Sequence, residues 1–90
     1  MSRTPPARVA LVTGGARGIG AAIARGLAED GMATIVADIR AEQASENAER
    51  ISDGGGRAIA VEMDVRNPES VAAGLRRAQA EFGEIDVCRY

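Results

Sequence analysis

Four short apolar runs alternate with three helical periodicities, and that alternation constrains the fold more than any other feature of the chain. The runs are VALV at 9–12, ATIVA at 33–37, AIAVEM at 58–63 and the start of a fourth at Ile85 and Val87. Each has the length of a buried strand and is too short for a helix. Between the first two, Ile19, Ile23 and Leu27 recur every four residues, with small Ala22 and Gly26 beside them. Ala44, Ala48 and Ile51 then mark one face of a second helix whose other face carries Glu42, Glu46, Glu49 and Arg50. Val71, Leu75, Ala78 and Phe82 line a third, which Asn67 and Pro68 start as N-cap and first helical residue. Asp30-Gly31, the triple glycine at 54–56 and Gly83 end the three helices in turn. Strands regularly followed by helices imply parallel strands joined by right-handed crossovers. The expected fold is therefore α/β, a doubly wound parallel sheet of three strands plus the start of a fourth, with three helices.

Ninety residues allow one small domain at most. Residues 1–7, with Pro5-Pro6, read as a disordered lead-in, and 8–90 as the domain. Eighteen residues are alanine and only Phe82 and Tyr90 are aromatic, so close helix-on-sheet packing is expected around a thin core. A net charge of -2 with both signs spread along the chain gives no footprint for nucleic acid or an anionic membrane. The single cysteine, Cys88, cannot close an internal disulfide, and no apolar stretch is long enough for a bilayer span or signal sequence. A cytoplasmic location follows as the expectation. All 11 basic residues are arginine. Without lysine or histidine, these residues offer no Ser-His-Asp triad, Schiff base, histidine–metal site or phosphate-gripping lysine. No metal site is expected.

Between the first strand and the first helix lies TGGARGIG, residues 13–20. A phosphate-binding turn needs residues without Cβ, for positive backbone dihedrals and for close approach of backbone N–H groups to a pyrophosphate. Gly14, Gly18 and Gly20 are placed for that, in a G-x-x-x-G-x-G spacing that departs from the general G-x-G-x-x-G fingerprint. A P-loop is rejected, because Ala21 and Ala22 stand where it requires Lys and Ser or Thr. Asp38 ends the second strand, where a carboxylate can accept both adenosine ribose hydroxyls. Asp64 and Val65 end the third, within reach of the adenine edge. Each aspartate also has a structural reading, as a cap for the helix that follows. Together, at the carboxyl ends of consecutive strands, they converge on the crevice where open α/β sheets bind ligands.

With these residues in place, the chain resembles the cofactor-binding front portion of a classical short-chain dehydrogenase/reductase over residues 8–87. Residues 13–20 match that family's T-G-x-x-x-G-x-G loop, Asp38 its ribose-binding acid, and Asp64 with Val65 its adenine-contacting pair. The resemblance implies a partial Rossmann-like domain and an NAD(P)-dependent oxidoreductase ancestry, with hydride passing between nicotinamide and an alcohol or carbonyl. The implied cofactor-binding residues are Gly14, Arg17, Gly18, Ile19, Gly20, Asp38, Asp64 and Val65. Asp38 favours NAD by repelling a 2'-phosphate, whereas Arg17 and Arg40 could attract one and keep NADP open. Ile19 is expected to be placed by its backbone and by helix packing.

The family's Asn-Asn-Ala-Gly stretch, catalytic Ser and Tyr-x-x-x-Lys have no counterpart here. Tyr90 is the only tyrosine and no lysine accompanies it, so no catalytic residue is assigned. Arg89 also fits poorly inside a buried parallel strand. The expectation is a truncated half-domain that binds a nicotinamide dinucleotide without turning it over. The alternative is a non-catalytic adenine-nucleotide-binding or interaction module. An unpaired outer edge on the fourth strand invites self-association.

Overall fold

The computed structural model describes residues 8–89; the lead-in at 1–7 and Tyr90 lie outside the described residues. The elements alternate as expected: β1 (Val9–Thr13), α1 (Gly18–Glu29), β2 (Ala33–Asp38), α2 (Ala41–Asp53), β3 (Arg57–Glu62), α3 (Pro68–Phe82) and β4 (Val87–Arg89). All strand pairs are parallel, in the order β3-β2-β1-β4. The chain thus builds outward from β1 through β2 to β3 and then crosses back to place β4 on the other side of β1. That reversal leaves the carboxyl end of β1 at the switch point, where such sheets open a crevice.

Successive strand residues point to opposite faces, and two apolar layers result. On one face Val9, Leu11, Ile35, Ala37, Val61 and Met63 pack with Ala78 of α3, flanked by Val71, Leu75, Phe82 and Ile85. On the other, Val12 and Val36 pack with Ala24 and Ala28 of α1 and with Ala44, Ala48 and Ile51 of α2. Among the described residues, ten of the eighteen buried hydrophobic side chains are alanine, which is the thin, closely approached core anticipated from composition. Phe82, half-buried, carries the Arg57 guanidinium over its ring at 5.2 Å.

Three expectations need correction. The inner face of α1 is Ala21, Ala24 and Ala28, while Ile23 and Leu27 are only partly buried and Ile19 is 80% exposed. Alanines let the helix axis approach the sheet, so the larger side chains are displaced to the flanks. Second, β3 ends at Glu62 and Asp64 lies two residues beyond it, so Asp64 and Val65 belong to the following turn. Third, Arg89 is a strand residue after all. It pairs with Val12 of β1 and is exposed among the described residues. β4 is held at both ends: the Val9 N–H donates to Asp86 Oδ2 at 2.7 Å, the Asp86 N–H donates to the Val9 carbonyl at 2.8 Å, and the Thr13 hydroxyl donates to the Arg89 carbonyl at 3.3 Å.

Candidate functional site

The turn from β1 into α1 adopts a conformation that only glycine accommodates easily. Gly14 and Gly18 have φ of 67° and 63°, and open space lies where their Cβ atoms would stand. Gly20 is required for a different reason, since a Cβ there would strike the Gly14 carbonyl. Gly15 is pinned: its N–H donates to the Ala37 carbonyl at 3.2 Å, and a Cβ would lie 3.0 Å from the Val12 carbonyl oxygen. These contacts wrap the loop over the ends of β1 and β2.

α1 starts at this loop without a side-chain cap and without an acidic residue in its first turn. α3 shows the opposite arrangement: Asn67 Oδ1 accepts from the Glu69 and Ser70 N–H groups at 3.0 and 3.3 Å, and Glu69 sits in the first turn. The first-turn amides of α1, at Gly18, Ile19 and Gly20, therefore have no side-chain cap among the described residues, and a helix start of this kind suits an anion. Arg17 is exposed at the rim. These features fit the pyrophosphate of a dinucleotide: a Cβ-free cradle with an uncapped helix start and an adjoining cation. The Ile19 side chain is 80% exposed beside the loop, so helix packing does not place it as expected.

Asp38 is the last residue of β2 and 5% exposed. Its Oδ2 accepts the Ala16 N–H at 3.2 Å and its Oδ1 accepts the Arg40 N–H at 2.9 Å, with the Arg40 guanidinium 3.6 Å away. The carboxylate thus braces the glycine loop from below. Each oxygen retains lone-pair capacity for a further donor. It does not cap α2, whose N-cap is Arg40 with no side-chain bond.

Asp64 turns back on its own segment. Oδ1 accepts the Arg66 N–H at 3.0 Å and the Arg66 Nε–H at 3.3 Å, while the Asp64 N–H donates to Ser70 Oγ at 2.9 Å. The Arg66 backbone donor, followed by its side chain, holds the Asp64 carboxyl below the usual carboxylate range. Val65 beside it is 57% exposed, as is Ile39 at 48% after β2, and both are apolar surfaces open to a planar ligand. Asp64 is also not the helix cap; Asn67 is.

One residue escapes the sequence reading. Asn47 of α2 is 2% exposed, and its Nδ2 donates to the Gly15 carbonyl at 2.9 Å. The available signal was a polar residue on the buried face set by Ala44, Ala48 and Ile51. Among the described residues, no group of three His, Cys, Asp or Glu is placed to hold a metal, and no helix is long and apolar enough to cross a membrane.

A family model described as short chain dehydrogenase matches residues 8–88. The cis-4-hydroxycyclohexanecarboxylate dehydrogenase of Sinomonas cyclohexanicum is 54% identical over 80 residues, covering 89% of this chain and 32% of that protein. The short-chain reductase protein NovJ of Streptomyces niveus is 46% identical over 79 residues, covering 88% and 30%. The crystal structure of a hydroxysteroid dehydrogenase from Escherichia coli superposes with a TM-score of 0.89 at 30% identity, over 92% of this chain and 35% of that one. The chain thus spans about a third of the length of these relatives. The glycine cradle over Asp38, the strand order and the agreement with these proteins lead to one assignment: the chain belongs to the short-chain dehydrogenase family, oxidoreductases that generally use NAD(P).

Proposed function

We propose that residues 8–90 form the dinucleotide half-site of an oxidoreductase and bind NAD in preference to NADP. The observation that carries this reading is the pairing of the uncapped α1 N-terminus with Asp38, whose carboxylate lies directly beneath the glycine loop. In this reading Gly14, Gly18, Ile19 and Gly20 receive the pyrophosphate, with Arg17 at its rim. Asp38 accepts the adenosine ribose hydroxyls, and Asp64 and Val65 border the adenine. The preference for NAD rests on charge. A 2'-phosphate would be brought against the Asp38 carboxylate, and the nearby Arg40 cation already faces that carboxylate at 3.6 Å.

The nicotinamide supplies the hydride chemistry when bound; these residues grip and orient. The Tyr-x-x-x-Lys pair of the family is not among the 90 residues, so they are not expected to transfer hydride by themselves. The free, exposed Cys88 is compatible with a reducing cytoplasm.

Calorimetric titration tests the binding claim. NAD should bind saturably, NADP at least tenfold more weakly, and Asp38→Ala should narrow that gap. Equal affinities for the two cofactors in the unsubstituted chain would contradict the specificity, and no heat with either from folded protein would contradict the site.

A further inference from the structure

Asn47 is a polar residue at a core position, and half of its amide gains nothing from being there. Its Oδ1 is the buried side-chain polar atom without a hydrogen-bond partner among the described residues. Burying an acceptor unpaired is unfavourable, and an aliphatic residue would suit the face it shares with Ala44, Ala48 and Ile51. The amide cannot turn over to relieve this. Its Nδ2 faces the Gly15 carbonyl at 2.9 Å, and a carbonyl only accepts, so a flipped amide would set oxygen against oxygen.

The position of that bond explains its value. The Gly15 carbonyl and the Ala16 N–H belong to one rigid peptide unit. Asn47 of α2 holds the oxygen end at 2.9 Å, and Asp38 of β2 holds the hydrogen end at 3.2 Å. The preceding Gly15 N–H is also tied, to the Ala37 carbonyl at 3.2 Å. With this peptide plane fixed from both sides, the next residues leave it in one direction, and these are the residues whose amides face the open cradle.

We propose that Asn47 is a positioning residue that clamps the Gly15–Ala16 peptide together with Asp38, and so pre-organises the amides of Gly18, Ile19 and Gly20 for a pyrophosphate. The inference rests on the dinucleotide reading for its purpose but not for its geometry. Pre-organisation aids binding by removing the ordering cost from the ligand's arrival. It also makes the docking of α2 a determinant of affinity, since α2 supplies the side chain that holds the Gly15 carbonyl.

The test combines backbone 15N relaxation of the ligand-free chain with NAD titration, for the unsubstituted protein and for Asn47→Leu and Asn47→Ala. Both substitutions remove the clamp and the orphaned oxygen together, so either one suffices if the other folds poorly. The expected result is that amide order parameters across residues 14–20 fall from about 0.85 to below about 0.6. Sheet amides should keep their order parameters, the melting midpoint should fall because the buried Gly15 carbonyl loses its donor, and the NAD dissociation constant should rise roughly five- to tenfold. A role in packing alone would lower the melting midpoint while leaving both the loop's order parameters and the NAD affinity intact, which overturns the clamp. Loosening of the loop in a chain that never binds NAD would uphold the clamp and overturn the dinucleotide reading.

Discussion

At the scale of single residues, one atom often serves two purposes here, and Asp38 is the clearest case. Its two oxygens already accept the Ala16 and Arg40 N–H groups, so it braces the loop, and in the proposed reading it also receives a ribose. Asp64 behaves differently, because Arg66 engages it from backbone and side chain. Its folded-state pKa is lowered, so it stabilises the fold above the unfolded-chain value, and that contribution is lost as pH falls through the folded value. A carboxyl 13C titration should place the Asp64 midpoint below 3.8. In Arg66→Ala part of that lowering should survive, since the backbone donor is the largest single cause. A midpoint at or above 3.8 in the unsubstituted chain would refute this account. Glycines and Asp38 were legible in the sequence because backbone geometry and strand ends demand particular residue types. Asn47 was not, since its partner is a backbone carbonyl 32 residues earlier and no spacing encodes that contact.

At the scale of elements, the helix starts divide into capped and uncapped, and the division follows their tasks. Asn67 satisfies two first-turn amides of α3, with Pro68 following at the first helical position. Asn67→Ala should therefore lower the unfolding free energy by about 1 kcal/mol, measured by urea denaturation, with little effect on NAD affinity. A change below a few tenths of a kcal/mol would show that solvent caps α3 equally well. The order of elements and most boundaries follow from the alternating periods. The orientation of α1 does not, because the four-residue recurrence of the bulky Ile19, Ile23 and Leu27 marks a different stripe from Ala21, Ala24 and Ala28. Contact with the sheet is instead made by the alanines, which allow the closest approach.

At the scale of the molecule, the topology brings every proposed contact to one end of the sheet. The β1–α1 loop, the end of β2 and the turn after β3 all open on the same side, next to the point where the strand order reverses. Helices cover both faces, α1 and α2 on one and α3 on the other, so the site is carried on a packed scaffold. The family assignment rests on the whole arrangement, and the cofactor claim rests on this one end of it. Amide chemical-shift mapping of the 15N-labelled chain with NAD tests that claim most directly. The account predicts saturable shifts concentrated at Gly14, Gly18, Ile19, Gly20, Asp38, Asp64 and Val65, with α3 beyond its first turn unaffected. Shifts absent from the glycine loop, or spread evenly over both faces of the sheet, would contradict it.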